Sequence, residues 1–194
     1  MEPILPRAVP DLDAHLQEQL PAPGAWAATR LRRAAVLCPI LSSGGRDHLL
    51  LGLRPLSSDA HAGQIAFPGG KVEGDERPVE TAIRECFEEV GMPPSHVTPL
   101  GELPPRVSTS RFSVHCVVAR VQPFTLRLAP REVDRALLVP LEALRDLKRW
   151  TKRLPPDGGD GGVSPHFRHG DDVIWGLTGR FIRDLVSQIG AGTD

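Results

Sequence analysis

Residues 69–92 read GGKVEGDERPVETAIRECFEEVGM, a stretch that holds charged residues at regular spacing in a pattern of loop and helix. A glycine turn leads into an acidic loop, and the pattern that follows predicts a helix over residues 79–90. Glu85 and Glu89 are four residues apart and project from one face of that helix, with Glu88 beside them. The opposite face is expected to lie against the core and consists of Val79, Ala82, Ile83, Cys86 and Val90. Like charges at this spacing cost about a few tenths of a kcal/mol per pair, so the cluster favours a bound cation.

The acidic face of this helix indicates a hard metal ion. Several carboxylate oxygens suit Mg²⁺ or Mn²⁺ better than zinc. Mg²⁺ takes one or two carboxylates, keeps waters and fills its other positions with phosphate oxygens of a substrate. The cluster therefore predicts metal-assisted cleavage of a phosphate compound, which needs little beyond positioning and one base. The alternative is an acidic face that is only solvated. A single pair of glutamates would more often be part of such a face than of a metal site.

The spacing of seven residues decides between these two interpretations. Their agreement with one fixed pattern by chance is on the order of 10⁻⁹ per window of average composition. The stretch resembles the Nudix box, with a cysteine at position 86 where that family prefers an aliphatic residue. The seven positions are Gly70, Glu76, Arg84, Glu85, Glu88, Glu89 and Gly91.

The resemblance to the Nudix hydrolase superfamily implies a fold and a metal site. It implies an α/β fold, an α/β/α sandwich with a mixed sheet, in which the box forms a loop-helix-loop metal site for Mg²⁺ or Mn²⁺. Glu85 and Glu89 are implied as the principal metal ligands. The carbonyl group of Gly70 and the side chain of Glu88 are implied to assist them.

Other residues of the box have implied structural or catalytic roles. Glu76 and Arg84 are expected to form a pair that holds the loop to the helix, and Gly91 is expected to end the helix. The general base varies between branches of the family. Glu88 and Glu132 are the candidate catalytic carboxylates, and a surface carboxylate is an equally weighted alternative for Glu132.

The residues before the box resemble a narrower group. Residues 50–70 read LLGLRPLSSDAHAGQIAFPGG and are similar to the extra signature of coenzyme A pyrophosphatases, although Asp59 stands where an arginine is usual. Residues 174–179 are similar to the start of the C-terminal helix of that branch, so the resemblance runs over about residues 33–186. The matching upstream positions are Leu50, Leu51, Arg54, His61, Gly63, Phe67, Pro68, Gly69 and Gly70.

Several residues near the box are candidates for substrate binding. Arg54, Lys71 and Arg111 can offer charge-assisted hydrogen bonds to phosphates, and Arg54 is favoured over the alternative of a surface arginine. His61 either contacts phosphate or braces its loop. Phe67 either stacks on the ligand or belongs to the core, and the core is favoured.

Three functions follow from these features. The leading hypothesis is hydrolysis of the diphosphate bond of coenzyme A, or of its thioester or oxidised derivatives, to 3′,5′-ADP and a 4′-phosphopantetheine derivative. The second is a Nudix pyrophosphatase that acts on ADP-ribose, dinucleoside polyphosphates or NADH. The third is a Nudix-like module that senses a nucleotide without cleaving it, although such modules usually lose box carboxylates.

Length and charge restrict the partners. The 194 residues allow one domain, for which we expect an N-terminal extension with a short helix over residues 1–30 and a Nudix domain over residues 31–194. A net charge of -1 argues against nucleic acid, and no apolar run is long enough for a membrane span. Residues 1–19 lack a signal-peptide pattern, so we expect a cytoplasmic protein that binds a small nucleotide of the coenzyme A type. Whether it forms a homodimer stays open.

The remaining pattern predicts alternating strands and helices, and the turn residues 42–47 predict a hairpin between the first two strands. Asp11 is expected to cap a helix that carries Leu12, Leu16 and Leu20, and the three cysteines are expected to be buried thiols. The predicted strands cover residues 34–41, 48–53, 113–121, 124–128 and 136–139, the further helices 140–147 and 177–189, and the surface loops 55–63 and 155–164.

Overall fold

A mixed seven-stranded sheet with helices on both faces runs through the described chain. The computed structural model describes residues 11–57, 62–155 and 162–190. The helices in these ranges are α1 (Leu12–Gln19), α2 (Pro78–Val90), α3 (Leu141–Arg145) and α4 (Gly176–Ile189). The strands are β1 (Arg32–Ser43), β2 (Arg46–Leu53), β3 (Ile65–Ala66), β4 (Gly69–Lys71), β5 (Val97–Val107), β6 (Phe112–Val121), β7 (Arg135–Pro140), β8 (Trp150–Arg153), β9 (Ser164–His169) and β10 (Asp172–Ile174).

The apolar run of β1 lies at the centre of this sheet. The strand order is β3-β2-β1-β6-β5, with β4 paired to β1 and β7 paired to β2. β1 and β6 are parallel, whereas the other pairs in the sheet are antiparallel. The predicted hairpin between β1 and β2 is confirmed. Gly44 and Gly45 both have positive φ in its turn, as a two-residue hairpin connection requires.

The two faces of the sheet bury separate cores, which confirms the sandwich. Side chains alternate along β1, so Leu37 faces α2 whereas Cys38 faces the opposite layer. That opposite layer contains α1, α3 and α4. The second, three-stranded sheet, in the order β10-β9-β8, packs against α4 and was not predicted.

The N-terminal helix and the cysteines agree with prediction. The side chain of Asp11 accepts a hydrogen bond from the Ala14 backbone N–H at 3.2 Å and caps α1. Its leucines Leu12 and Leu16, with Leu20 after it, are buried in the same core as α4. All three cysteines are buried. Within the described ranges, no helix has the length and apolar character needed to cross a membrane.

One strand prediction was wrong, one helix is shorter than predicted, and six strands were missed, namely β3, β4, β5, β8, β9 and β10. Residues 124–128 form no strand, because their backbone turns toward the end of α2, where the Arg127 N–H donates to the Val90 carbonyl at 3.0 Å. The predicted helix over 140–147 ends at Arg145, and a 3₁₀ turn (Leu147–Arg149) follows.

β5 was missed because its prolines break the strand pattern and cause register shifts. The predicted loop extended to Ser164, the first residue of β9, and no strand was predicted for the residues that follow it. The other parts of both predicted loops form no helix or strand where they are described, and residues 58–61 and 156–161 lie outside the described ranges.

Candidate active site

Helix α2 carries the acidic face, and its sequence explains where it begins and what it buries. Pro78 occupies the first turn, where the missing N–H costs nothing. The side chain of Glu80 accepts a hydrogen bond from the Arg77 backbone N–H at 2.8 Å and helps to start the helix. The opposite face is buried against the sheet, as predicted. Its members are Ala82, Cys86 and Val90, with Val79 and Ile83 partly buried.

Three carboxylates converge beside β4. One ligand oxygen from each of Glu85, Glu89 and Glu132 lies within 4.8 Å of the other two. Glu89 is only 4% exposed, and its Oε2 accepts a hydrogen bond from the Gly69 backbone N–H at 3.2 Å. The guanidinium of Arg54 lies 3.9 Å from Oε1 of Glu89. We call these three glutamates the carboxylate cluster.

Glycines allow β4 to approach the helix this closely. A Cβ atom on Gly70 would lie 2.3 Å from Oε1 of Glu85, so any side chain there would displace that carboxylate. Gly69 has a φ of 153°, and its Cβ atom would lie 2.4 Å from the Ala35 carbonyl oxygen. The glycine pair at the start of the box therefore permits the packing of the cluster.

The electrostatics of the cluster fit a divalent cation. Burial raises the pKa of Glu89 to about 7, because a charged carboxylate there loses its hydration; Arg54 and the Gly69 N–H oppose this shift, and Glu85 and Glu132 add to it. Burial also raises the pKa of Glu85, against the opposing charge of Arg84. Carboxylates grouped with so little compensating positive charge form a donor set that Mg²⁺ or Mn²⁺ would satisfy.

Arg84 joins the acidic loop to the helix. Its Nε donates to Oε1 of Glu76 at 2.7 Å, and its Nη2 donates to the Lys71 carbonyl oxygen at 2.9 Å. The Thr81 hydroxyl donates to the same Glu76 carboxylate at 2.9 Å. The hydrogen bond from Arg84 lowers the pKa of Glu76. Arg84 also lies 3.2 Å from Oε1 of Glu85, so its position affects the cluster directly.

The two candidate catalytic carboxylates lie in different surroundings. Glu132 belongs to the carboxylate cluster, where a turn holds it: its N–H donates to the Ala129 carbonyl, and the Ala129 N–H donates to the Glu89 carbonyl, both at 2.9 Å. Glu88 lies outside the cluster, half-exposed, and accepts a hydrogen bond from Arg84 at 2.9 Å. The structure therefore brings only one of the two candidates to the proposed ligands.

Gly91 ends α2 and admits the segment that leads to Glu132. It has a φ of 72°, and its N–H donates to the Phe87 carbonyl at 3.0 Å. A Cβ atom on Gly91 would lie 2.8 Å from Cβ of Arg127. The glycine thus lets residues 127–132 pass closely over the end of the helix.

A cavity of about 670 Å³ adjoins the cluster. Arg54 and Gly69 line the cavity and also contact Glu89, so they connect the cavity with the carboxylate cluster. The cavity also reaches the first turn of α4. Its further walls come from the end of β5, the start of β9 and the residues around β3, including Gln64, Phe67, Pro105, Arg106, Val107, Ser108, Thr109, Ser164, Trp175, Leu177, Thr178 and Arg180.

The candidate substrate residues are distributed unevenly around this cavity. Arg54 lines it, and Phe67 lines it while belonging to the core. Lys71 and Arg111 are exposed and are not among the lining residues of this cavity in the described chain. His61 lies outside the described residues.

Sequence reasoning missed several residues of the site. Thr81 gave no signal, because a threonine inside a helix is common. Ser108, Thr109 and Arg180 reach the cavity only through tertiary folding. Trp175 belonged to the recognised C-terminal pattern, which was the available signal.

Comparisons with known proteins agree with this geometry. The NUDIX domain family model matches residues 31–157. The chain is 37% identical over 186 residues to the uncharacterized Nudix hydrolase NudL of Yersinia enterocolitica, covering 94% of each protein. It is also 37% identical over 172 residues to the uncharacterized Nudix hydrolase NudL of Escherichia coli K12, covering 82% of this chain and 83% of the relative.

A solved structure shows a likeness of fold. The Nudix hydrolase RenU from M. smegmatis aligns with a TM-score of 0.50 at 23% identity, covering 57% of this chain and 71% of that chain. The family match covers more than half of the chain and includes every residue of the carboxylate cluster. The chain therefore belongs to the Nudix hydrolase family and is a Nudix pyrophosphatase.

Proposed function

We propose that this enzyme hydrolyses the diphosphate bond of coenzyme A or one of its derivatives. The products would be 3′,5′-ADP and 4′-phosphopantetheine or its derivative. The observation that carries the proposal is the junction of the carboxylate cluster with a cavity large enough for an extended nucleotide. Arg54, which contacts Glu89 and lines the cavity, lies at this junction.

The chain supplies ligands, a phosphate anchor and a base. Glu85 and Glu89, with the Gly70 carbonyl, would hold Mg²⁺ or Mn²⁺, which when bound neutralises phosphate charge and acidifies water. The Arg54 side chain is 32% exposed and can donate to phosphate oxygens. Glu132 would accept the proton of the attacking water while the phosphorus–oxygen bond of the bridge breaks. Glu88 would affect the metal site indirectly, through its hydrogen bond with Arg84.

The choice of coenzyme A rests on residues 50–70 and on the cavity. The signature-like stretch contributes Arg54, Phe67 and Gly69 to the cavity wall. Arg180 and the hydroxyls of Ser108 and Thr109 offer further donors for an anionic ligand. Apolar wall residues beside these donors suit the uncharged arm of the same ligand.

Product analysis tests this proposal. The protein is incubated with coenzyme A and Mg²⁺ and the products are separated, with Glu89→Gln as the matched control. We expect 3′,5′-ADP from the wild type and no turnover by the variant, because the amide cannot replace a charged ligand. The same assay uses ADP-ribose, dinucleoside polyphosphates and NADH. Cleavage of one of these with coenzyme A left intact would reassign the substrate, and full activity of Glu89→Gln would remove its ligand role.

A further inference from the structure

We propose that Trp26, which precedes the residues matched by the family model, is a positioning residue for the metal site. The inference rests on the metal-binding part of the proposed function. The indole Nε1–H of Trp26 donates to the backbone carbonyl of Glu76 at 2.7 Å. Glu76 is the residue whose carboxylate binds Arg84, so this hydrogen bond reaches the box from outside it.

The segment that carries Trp26 is anchored to the sheet by buried groups. The Glu102 N–H donates to the Pro21 carbonyl at 2.9 Å, and the Gly24 N–H donates to Oε2 of Glu102 at 3.3 Å. The Ala27 N–H donates to Nε2 of His115 at 3.2 Å. Because Nε2 accepts this bond, the proton of the neutral ring lies on Nδ1, which bonds to Glu102. The segment thus has fixed contacts on β5 and β6.

The Trp26 ring has three further contacts. Its plane meets the His115 ring edge to face, with the centroids 5.0 Å apart. The Arg33 guanidinium carbon lies 5.9 Å from its ring centre. The ring also packs against the core between α2 and the sheet. A rigid indole on a rigid segment can therefore fix the carbonyl to which it donates.

The bond matters because Arg84 lies beside four carboxylates, two of which, Glu76 and Glu85, belong to the loop and to the carboxylate cluster, respectively, and compete for it. Its strongest contact is with Glu76, yet its Nη1 lies only 3.2 Å from Oε1 of Glu85. If the loop around Glu76 moved away, Arg84 would be free to pair more fully with Glu85. Glu85 would then be less available to the metal ion, for which it is a proposed ligand. Trp26 holds Glu76 in place and so leaves Glu85 available for the cation.

The test measures metal binding by the substrate-free protein. Trp26→Phe keeps the aromatic packing and removes the N–H donor. Trp150→Phe is the matched control, because its Nε1–H donates to the Leu144 carbonyl at 2.8 Å on the opposite side of the sheet from α2. Mn²⁺ titration followed by electron paramagnetic resonance should show an affinity about threefold to tenfold weaker in Trp26→Phe. The control should stay within about twofold of the wild type.

Kinetics on the folded enzyme give a second readout. Saturating metal should restore kcat of Trp26→Phe, and KM for the diphosphate substrate should not change, because the loss lies in metal affinity. If Trp26→Phe folds poorly, β-(3-benzothienyl)alanine at position 26 retains the bicyclic ring and lacks only the donor. Wild-type Mn²⁺ affinity in the donor-free protein, or an equal loss in Trp150→Phe, would overturn the proposal. Mn²⁺ binding needs no substrate, so failure of the wild type to cleave coenzyme A would refute the substrate and leave this comparison decisive.

Discussion

At the scale of single residues, the carboxylate of Glu89 connects stability with chemistry. It is almost fully buried and receives one backbone hydrogen bond, with Arg54 at the edge of ion-pair distance. Burial of a carboxylate with so few partners favours its protonated form. Because few hydrogen bonds and positive charges stabilise the ionised carboxylate, it should bind a cation strongly. Functional sites commonly contain such groups, which lower the stability of the fold.

This burial predicts a pH-dependent stability of the metal-free enzyme. The folded state retains the Glu89 proton up to a pKa of about 7, whereas an exposed glutamate releases it near 4.5. The free energy of unfolding should therefore fall as the pH rises between these values, by up to about 3 kcal/mol. Urea unfolding in chelator at pH 5 and pH 8 measures the difference. Glu89→Gln should lose most of the dependence, and an undiminished dependence in that variant would contradict the assignment.

The identity of the base is a second prediction at this scale. Glu132 belongs to the carboxylate cluster, whereas Glu88 is held by Arg84 outside it. Glu132→Gln should lower kcat by about 10²- to 10⁴-fold at saturating Mg²⁺, as expected for loss of a general base. Glu88→Gln should lower kcat less than about tenfold. The reverse order of the two effects would assign the base to Glu88.

At the scale of elements, β4 and α2 form one metal-binding unit. The absence of a side chain on Gly70 lets the strand contact Glu85, and Arg84 holds the intervening loop to the helix. Local sequence determines this unit because its parts are close in the chain. The helix could be predicted from its periodicity, whereas the contact between strand and helix needed the glycine position in space.

Alanine substitutions test the close approach of β4. In Gly70→Ala the new Cβ would lie 2.3 Å from Oε1 of Glu85, so that carboxylate must turn away. We expect Mn²⁺ affinity to fall about tenfold or more, measured by calorimetric titration. Gly74→Ala is the matched control: its φ of +53° carries a strain of about 1 kcal/mol, but nothing lies within 4 Å of the new Cβ. Equal loss of metal affinity in both variants would contradict the contact.

At the scale of the whole molecule, the cavity depends on elements that are distant in sequence. β5 and α4 both contribute to its wall, and a bidentate ion pair joins these two elements. Nε and Nη2 of Arg106 donate to the two carboxylate oxygens of Asp184, each at 2.7 Å. Because this pair links two elements of the cavity wall, we expect it to influence substrate affinity more than the chemical step.

A double-mutant cycle on this pair tests the cavity. Arg106→Gln and Asp184→Asn should each raise KM while leaving kcat within about threefold, because neither group touches the carboxylate cluster. The coupling energy between Arg106 and Asp184 in the free energy of unfolding should be about 1 kcal/mol, as for a partly exposed bidentate ion pair. Steady-state kinetics and urea unfolding of the four proteins measure both effects. Additive effects on stability would show that the two walls are not coupled through this contact.

The sequence alone determined the acidic face of α2, its buried opposite face and the family, because helical periodicity and motif spacing are local properties. The hairpin, α1 and α4 could be predicted for the same reason. Residues 124–128 were assigned wrongly, because the Arg127 N–H donates to the Val90 carbonyl at the end of α2 rather than to a neighbouring strand. Only the tertiary structure brought Glu132 to Glu89, placed Trp26 on the box and closed the cavity with α4. Those contacts join segments that are far apart in the chain. They form because both segments pack against the same neighbours, and no local sequence pattern indicates such packing.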